Sequence, residues 1–337
     1  MRVTVLMGGA SEERDVSLAS GVQVARALRA AGHRVVAFDT ARGPLTPTQE
    51  AALLEKGVDP APPAEVLRDR VVEEGRAFLE GFPEVAGTDV LFVALHGGSG
   101  EDGTLQRRLE GEGIPYTGSG PEACAAAMDK DRTKAVLRAR GVPTPAWLTD
   151  CFDAGRIEAA LGLPVVVKAA HGGSSLRLEM AHTREGLEAA LARARDFRDR
   201  VVVERYVPGR EFTVAVLDGE ALPVGEIIPA GEFFDYRSKY QPGGAREIFP
   251  AELEPATARE LQRLALAVHQ ALRLRDCSRV DFILDPGGGL WCLEANTLPG
   301  LTATSLVPQA AAAAGIPFPG LCDRLVAAAA RRGPAGT

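Results

Sequence analysis

The first hundred residues alternate short apolar runs with one amphipathic stretch, a pattern typical of an open α/β sheet. Apolar runs at 2–7 and 34–38 flank an amphipathic stretch over 15–32 that ends on a glycine, and a third apolar run covers 89–95. This order predicts a βαβ unit joined by a further buried strand. Glycine-rich loops follow two of these strands, so we expect a small-molecule site at the carboxyl edge of the sheet.

Beyond residue 118 the pattern changes to a mixture of helices and strands. The predicted helices cover 128–141, 183–197, 256–274 and 303–314, with one more close to the C-terminus, and the predicted strands include 200–207, 211–217 and 221–228. Residues 163–181 are predicted to form two strands around a Gly-Ser loop, and 229–247 a long polar loop. Because the order is α/β first and α+β afterwards, with no repeated βα period, a TIM barrel is excluded.

An apolar hairpin near the C-terminus carries oxygen-bearing side chains on one face. Alternate residues of a strand share a face, so Glu294 and Asn296 point together in "LEANTLPG". Arg279 and Asp281 do the same in "SRVDFIL". The turn signal "DPGGG" between the two runs predicts a hairpin that sets Asp281 opposite Glu294, with their Cβ atoms about 5 Å apart.

Three converging oxygen side chains are costly to bury unless a cation lies among them. Carboxylate and amide oxygens suit Mg²⁺ or Mn²⁺ better than zinc, so Asp281, Glu294 and Asn296 favour a metal site. Two other interpretations stay open on this segment alone. The three residues could be the solvated face of an ordinary hairpin, or the two acids could serve glycoside hydrolysis, in which the amide has no part.

Composition places the chain among ordinary globular proteins. Its 337 residues, 46% hydrophobic and 25% charged, suffice for two or three domains. A net charge of −7 without a basic stripe argues against a nucleic-acid partner. The sequence has no signal-peptide pattern and no apolar run of roughly 20 residues, so no membrane association is expected. Five scattered cysteines predict reduced thiols and a cytoplasmic location.

Lysine is rare in this chain. Only five of the 38 basic residues are lysines, at positions 56, 130, 134, 168 and 239. Since arginine serves almost everywhere else, a remaining lysine is expected where a compact ammonium is needed, as beside a phosphate oxygen that a planar guanidinium fits badly. For Lys56, chance retention is the simpler explanation.

Seven segments stand in a fixed order along the chain. They are "GGASEERDVSLASG", "ALHGGSGEDGTLQ", "MDKDRTK", "VVVKAAHGGSS", "VVVERYVPGREFTVAVL", "DYRSKYQPGGA" and "RVDFILDPGGGLWCLEANTLPGLTATSLVP". This succession, over about residues 1–330, resembles that of the D-alanine–D-alanine ligases of the ATP-grasp superfamily. The last segment is specific, and the first two together narrow the superfamily to this family.

The resemblance implies a three-domain ATP-grasp fold, α/β then α+β. An N-terminal domain with an open parallel sheet would cover 1–118, a central domain 119–203 and a C-terminal domain 204–337. ATP would phosphorylate the carboxylate of one D-alanine, and the amine of a second would attack the acyl phosphate, giving D-alanyl-D-alanine for peptidoglycan synthesis. ATP is then a co-substrate that needs two Mg²⁺ or Mn²⁺ ions, and a homodimer through the N-terminal domain is implied.

The same resemblance implies a nucleotide and metal site. The implied metal ligands are Asp281, Glu294 and Asn296. The implied ATP contacts are Lys130 and Lys168 on the phosphates, Lys239 in a loop closing over the γ-phosphate, Glu204, Arg205 and Val207 beside adenine, and Glu211 on the ribose.

It also implies a substrate site. Glu13 would hold the ammonium of the first D-alanine, with His96 beside that substrate. The implied oxyanion hole consists of Arg279 and the backbone N–H of Gly300, the carboxylate of the second D-alanine would go to Ser305 and Leu306, and Ser175 and Tyr240 would bond with Glu13 to hold the closing loop.

Two positions beside the predicted phosphate loop depart from the family pattern. Ala169 stands where a proline is usual, and Arg177 stands where a glycine is usual. The bulky side chain of Arg177 would restrict positive φ angles in the loop or add a charge contact to phosphate.

Three rival interpretations remain. The chain could be a sibling ligase with D-lactate, D-serine or another second substrate, an inactive ATP-grasp relative that acts as a binding subunit, or a nicotinamide dehydrogenase. The complete set of predicted metal ligands and phosphate lysines argues against an inactive relative. The first glycine-rich loop lacks the G-x-G-x-x-G spacing, which argues against a dehydrogenase.

Overall fold

The described residues, 1–58, 67–172, 178–229 and 244–333 of a computed structural model, form three β-sheets with helices packed on them. The strands are β1 (Arg2–Met7), β2 (Arg34–Asp39), β3 (Gly43–Pro44), β4 (Val90–Val93), β5 (Trp147–Thr149), β6 (Val165–Ala169), β7 (Leu178–Ala181), β8 (Val201–Arg205), β9 (Arg210–Leu217), β10 (Glu220–Ala221), β11 (Gly225–Pro229), β12 (Ala245–Ile248), β13 (Cys277–Leu284) and β14 (Leu290–Asn296). The helices are α1 (Arg14–Ala30), α2 (Pro47–Lys56), α3 (Arg70–Glu74), α4 (Arg76–Glu80), α5 (Thr104–Gly111), α6 (Pro121–Met128), α7 (Lys130–Ala139), α8 (Ala154–Leu161), α9 (Arg184–Ala194), α10 (Pro255–Ala271), α11 (Leu306–Ala313) and α12 (Phe318–Arg332).

The N-terminal sheet has the strand order β3-β2-β1-β4. Strand β1 pairs in parallel with β2 and with β4, and the short β3 adds an antiparallel edge. Helix α1 crosses over between β1 and β2 and buries Val22, Ala25 and Leu28 against the sheet. The predicted βαβ unit and its additional strand are therefore confirmed.

Four helices of the N-terminal region, α2 to α5, were not predicted from the sequence. They contain only 5 to 10 residues each, too few to give a clear apolar period. Local caps begin two of them: Thr46 and Gln49 form a reciprocal capping box before α2, and the Asp69 side chain accepts a hydrogen bond from the backbone N–H of Val72 in α3. The Thr-Pro-x-Gln sequence at 46–49 was the available signal for α2.

The central sheet, β5-β8-β6-β7, is antiparallel throughout. Helices α8 and α9 cover one face and bury Ile157, Leu187 and Leu191 against Val165 and Val203. The opposite face carries Lys168 and Glu204, since their neighbours along each strand point into this core. The two predicted strands of 163–181 are confirmed as β6 and β7.

The third sheet has the order β12-β11-β9-β13-β14, with β10 paired to β9. The hairpin β13–β14 has the predicted register, with Asp281 opposite Glu294, and a bulge follows at Asp281/Phe282. Helices α6, α7 and α10 pack on one face of the sheet around Phe212 and Val280. The polar loop predicted over 229–247 is wrong at its end, where β12 begins at Ala245 and pairs with β11.

A single apolar core joins the first sheet to the third sheet and to the last two helices. It contains Val5 and Phe92 of the first sheet, Leu217 of β9, Val307 of α11 and Leu325 of α12. The architecture is the predicted α/β unit followed by α+β units. The domain boundaries at 118/119 and 203/204 stay predictions: strand β8 continues through the second of them, and α6 and α7 pack with the third sheet.

The sequence also predicted reduced thiols and no membrane association. All five cysteines are buried and none forms a disulfide, so the predicted reduced state is confirmed. Burial raises the pKa of Cys124 and Cys277 to about 12, which keeps both thiols protonated. Within the described ranges, no helix has the length and apolar character needed to cross a membrane.

One buried carboxylate fastens the C-terminal helix to the rest of the fold. Asp276, which has a φ of +61° between α10 and β13, accepts a hydrogen bond of 2.7 Å from the backbone N–H of Gly118. Arg332, in the last turn of α12, pairs with the same carboxylate at 2.5 Å and donates to the carbonyl oxygen of Tyr116 at 2.6 Å. The three elements that meet here are distant in sequence.

We therefore expect Asp276→Asn to lower the free energy of unfolding by about 3 kcal/mol, because it leaves the guanidinium of Arg332 without its anion. Asparagine adopts positive φ readily, so the backbone is not strained by the change. Urea denaturation of the whole chain measures the loss. The matched control is Asp323→Asn, which removes an exposed carboxylate facing His33 and should cost no more than about 1 kcal/mol. Equal effects of the two changes would contradict this role of Asp276.

Candidate active site

A cleft between the central and third sheets brings together most of the residues predicted to bind nucleotide and metal. Its volume is about 380 Å³, within the range of ligand pockets. Among the predicted residues, its lining includes Lys168, Glu204, Arg205, Val207, Glu211, Asp281 and Glu294. Apolar side chains from both sheets form the remaining walls, including Val166, Leu178, Ile227, Ile283 and Leu293. The cleft therefore combines apolar walls with charged side chains.

Glu204 is buried at the cleft wall between two lysines. In the antiparallel pair β6–β8, Val166 lies opposite Glu204, so Lys168 is the diagonal neighbour on the same face. The Lys168 ammonium donates to Oε1 of Glu204 at 2.5 Å. The Lys134 ammonium, from α7, lies 2.7 Å from Oε2. Burial by itself would raise the pKa of Glu204, but the two ammonium groups lower it to about 2, so the group is a carboxylate at neutral pH.

Lys130 lies close to this cluster, at the first position of α7. Asp129 caps the helix, and the Lys130 ammonium donates to the carbonyl oxygen of Gly172 at 2.8 Å. Burial lowers the pKa of Lys130, the carboxylate of Glu294 opposes that shift, and Lys168 adds to it. The cluster therefore holds three ammonium groups, of Lys130, Lys134 and Lys168, against the carboxylates of Glu204 and Glu294.

The hairpin places its polar residues as its register predicts. Asp281 accepts a hydrogen bond from the Thr213 hydroxyl at 2.7 Å, from Nη2 of Arg279 at 2.8 Å and from Nδ2 of Asn296 at 3.2 Å. An amide that donates through its nitrogen leaves its oxygen available as a ligand. Asn296 can therefore bond to Asp281 and still offer Oδ1 to a cation. Glu294 lies directly opposite Asp281 across the hairpin.

The donor set fits a hard divalent cation. Nowhere in the described part of the chain do three acidic, histidine or cysteine side chains gather closely enough to hold a metal, so the predicted set depends on the amide of Asn296 as its third member. Carboxylate and amide oxygens are the ligands that Mg²⁺ and Mn²⁺ prefer. The guanidinium of Arg279 now shares Asp281, and a bound cation would compete with it for that carboxylate.

Glu13 and His96 meet at the carboxyl edge of the first sheet. Glu13 is buried at the start of α1, and a Cβ atom at Gly97 would lie only 2.8 Å from its Oε2. Gly97 also has a φ of +69°, so this close approach requires glycine. The neighbouring His96 ring lies 3.2 Å from the Ser20 hydroxyl and 3.6 Å from a carboxylate oxygen of Glu101. The two predicted substrate residues are thus adjacent.

The segment after the hairpin approaches the same edge. The backbone N–H of Ala303 donates to Gln23 of α1 at 2.7 Å, and Leu298 lines a small apolar cavity together with His96. At Gly300 a Cβ atom would lie 2.9 Å from the Ser305 hydroxyl, which caps no backbone group of α11. Gly300, Ser305 and Leu306, the first residue of α11, therefore lie near one another.

Four residues named from the sequence lie outside the described residues. They are Ser175, Arg177, Lys239 and Tyr240. Ala169, the other departure from the family pattern, ends β6 and is buried.

Sequence reasoning missed two buried residues that hold side chains of the cleft wall. Thr213, on β9, holds Asp281 through its hydroxyl. Lys134 holds Glu204 and is fully buried, although the sequence analysis gave it no role. The rarity of lysine was a signal that could have found Lys134, whereas nothing in the sequence distinguishes Thr213 from its neighbours.

Known proteins resemble this chain over its whole length. Residues 2–119 match the family description "D-ala D-ala ligase N-terminus", and residues 144–327 match "D-ala D-ala ligase C-terminus". A D-alanine–D-alanine ligase of Synechococcus sp. (strain JA-3-3Ab) is 39% identical, with 100% of this chain and 98% of that protein covered.

Solved structures of ligases share the fold. The ATP complex of D-alanine–D-alanine ligase from Bacillus anthracis superimposes with a TM-score of 0.77 at 29% identity, covering 98% of each chain. The VanG D-Ala:D-Ser ligase from Enterococcus faecalis gives 0.81 at 30% identity, covering 97% of this chain and 99% of that one. With both family descriptions matched and a relative 39% identical over the full length, this chain belongs to the D-alanine–D-alanine ligase family.

Proposed function

We propose that the protein joins two D-alanines in an ATP-dependent reaction that releases ADP and phosphate, as a step of peptidoglycan synthesis. The observation that carries the proposal is the cleft itself: Lys168, Asp281 and Glu294 line one partly apolar pocket, and the ammonium groups of Lys130 and Lys134 lie close to its wall. An excess of ammonium groups beside oxygen ligands suits a polyphosphate bound with a divalent cation. The curated relatives named D-alanine–D-alanine ligase favour D-alanine for both substrates.

In this proposal ATP lies along the cleft. Adenine packs between the apolar walls beside Glu204, Arg205 and Val207, and Glu211 accepts hydrogen bonds from the ribose. The phosphates extend towards Lys130 and Lys168. Lys239 would join them, an assignment that rests on the family resemblance because this residue lies outside the described residues.

The proposed metal ligands are Asp281, Glu294 and Asn296, with two Mg²⁺ or Mn²⁺ ions. A divalent ion held by these residues would neutralise the charge that gathers on the transferred phosphoryl group. Thr213 keeps Asp281 oriented towards Arg279 and the hairpin face.

The chemistry proceeds in two steps. A carboxylate oxygen of the first D-alanine attacks the γ-phosphorus, the bond to the β-phosphate oxygen breaks, and ADP leaves. The amine of the second D-alanine then attacks the acyl carbon, and phosphate departs from the tetrahedral intermediate. Arg279 and the backbone N–H of Gly300 stabilise its oxyanion, and donors of this kind contribute roughly 3–4 kcal/mol each.

Substrate orientation falls to the edge of the first sheet and to α11. Glu13 holds the ammonium of the first D-alanine next to His96. The carboxylate of the second D-alanine goes to Ser305 and Leu306, where the helix N-terminus favours negative charge. By resemblance to the family, Ser175 and Tyr240 complete a hydrogen-bonded network with Glu13.

We further propose a cytoplasmic homodimer without nucleic-acid or membrane partners. The net charge of −7 and the five buried thiols support this setting. Sedimentation at several protein concentrations measures the assembly state, and a monomer at micromolar concentration would contradict the homodimer.

The metal proposal predicts that Glu294→Gln abolishes ADP release in the presence of D-alanine and Mg²⁺ while the circular dichroism spectrum stays unchanged. The amide keeps the shape of the side chain and removes its charge, so a cation in the cleft loses one anionic ligand. Binding of Mn²⁺ in the presence of ADP, followed by electron paramagnetic resonance, gives a readout independent of turnover. Glu220→Gln, at an exposed position of the same sheet, is the control. Near wild-type turnover of Glu294→Gln at saturating Mg²⁺ would mean that the hairpin is only a solvated face.

The lysine proposal predicts that Lys168→Arg is much less active than the wild type although the charge is kept. Guanidinium is larger and planar, and it would have to fit in the buried space beside Glu204. The same change at Lys56, whose side chain is 50% exposed, should leave turnover unaltered. Initial rates of ADP release at varied ATP compare the two variants. Equal rates of the two arginine variants would contradict the idea that the rare lysines mark contacts to phosphate.

The choice of second substrate tests the function as a whole. Wild-type protein should release ADP with D-alanine and form the dipeptide, with no ester formed from added D-lactate at neutral pH. Tyr240→Phe should keep ATP turnover and form some ester, most visibly at lower pH where the D-alanine amine is more protonated, because loss of one neutral hydrogen bond costs about 0.5–1.5 kcal/mol. Products are separated by chromatography. Preference of the wild type for D-lactate or D-serine would identify a sibling ligase, and absence of ADP with any of these substrates would refute the proposal.

A further inference from the structure

Lys134 is a fully buried lysine behind the wall of the cleft. Its ammonium lies 2.7 Å from Oε2 of Glu204, 2.8 Å from the hydroxyl of Thr144 and 3.3 Å from the carbonyl oxygen of Pro145. The contact with Glu204 is a close ion pair without the angle of a regular hydrogen bond, whereas Thr144 and Pro145 accept hydrogen bonds. Lys134 does not line the cleft, while Lys168 and Glu204 do. Three protein oxygens thus surround an ammonium that a ligand in the cleft does not reach.

Stability alone gives little reason for a charge at this position. Burial lowers the pKa of Lys134, which shows that the protein interior disfavours its charged form, and the carboxylate of Glu204 opposes that shift. Buried ion pairs can often be replaced by apolar residues of similar volume without loss of stability. The chain also uses arginine almost everywhere else. A lysine kept here therefore points to a task that needs a compact charge.

The task follows from the way Glu204 divides its two oxygens. Oε1 accepts from Lys168, and Oε2 faces Lys134. With both lysines present, two ammonium groups share the single negative charge of Glu204. The positive charge of Lys168 is therefore only partly neutralised on the side that faces the cleft. Without Lys134, Lys168 would be the one cation left within ion-pair distance of Glu204 among the described residues, and both carboxylate oxygens would attract its ammonium.

We propose that Lys134 is a positioning residue, which holds Oε2 of Glu204 and thereby leaves the ammonium of Lys168 available to an anionic group in the cleft. It acts through Glu204 and contacts no substrate. The proposal deepens the proposed function, since it takes the anionic group to be a phosphate of the nucleotide. Lys130 lies one helical turn before Lys134 on α7, and its own ammonium donates to the carbonyl oxygen of Gly172.

The variants Lys134→Met, Glu204→Gln and the double variant form a thermodynamic cycle, with Lys56→Met as the surface control. Isothermal titration calorimetry with MgADP and steady-state kinetics with ATP and D-alanine are the two readouts. We expect Lys134→Met to weaken MgADP binding and to raise the KM for ATP about tenfold, with the KM for D-alanine changed less than about twofold. The loss of one close contact between a buried carboxylate and a buried ammonium accounts for a change of that size.

The cycle separates positioning from a general structural role. If Lys134 acts only through the charge of Glu204, the double variant binds MgADP as well as the single variant Glu204→Gln does. The double variant also unfolds at a higher temperature than Glu204→Gln, because it no longer contains the buried, unpaired ammonium of Lys134. The proposal would be overturned if the losses of MgADP affinity in the two single variants multiply in the double variant. It would also be overturned if Lys134→Met binds MgADP with the affinity of the wild type.

Two further outcomes are distinguishable. Should Lys134→Met fail to fold, the comparison of Glu204→Gln with the double variant still decides, because both variants lack the buried carboxylate of Glu204. Equal MgADP affinity of these two variants supports the positioning role, and a further loss of affinity in the double variant contradicts it. Should the wild type itself bind no MgADP, the proposed function fails, and the positioning role fails with it.

Discussion

A buried carboxylate between two ammonium groups is the constraint on which the nucleotide cleft depends. Glu204 belongs to the central sheet, and Lys134 belongs to a helix that packs with the third sheet. A buried charge costs several kcal/mol unless it is paired, so the pairing fixes how α7 sits against β8. Lys130 lies on the same face of α7 one turn earlier, and Lys168 lies beside Glu204 on the neighbouring strand. The two oxygens of Glu204 thus hold the ammonium groups of Lys134 and Lys168, while that of Lys130 is held by the carbonyl oxygen of Gly172.

Sequence reasoning succeeded where a local period determines geometry. The twofold period of a strand and the turn "DPGGG" were sufficient to place Asp281 opposite Glu294, and the structure has that register. The long amphipathic period of α1 and the apolar runs on either side of it were sufficient for the βαβ unit. In the hairpin the paired residues lie fewer than twenty positions apart, and in the βαβ unit the paired strands are joined directly by the helix between them.

The same reasoning failed where partners come from distant parts of the chain. Lys134 and Glu204 are separated by 70 positions, and only the packing of α7 beside the central sheet brings them together. The helices α3 and α4 contain five residues each, so their stability comes from packing against the sheet, and for α3 also from its Asp69 cap, rather than from their own period. The roles of Ser175, Lys239 and Tyr240 still rest on the family resemblance, because these residues lie outside the described residues.

The shared apolar core also imposes an order on synthesis. Val5 and Phe92 share this core with Val307 and Leu325, which are synthesised more than 200 residues later. At about 5–20 residues per second, the N-terminal sheet waits roughly 12–47 s for the helices that cover it. During that interval one apolar face of the nascent chain is open to chaperones and to neighbouring chains. A protein whose last helix completes its first sheet therefore cannot finish folding domain by domain from its N-terminus.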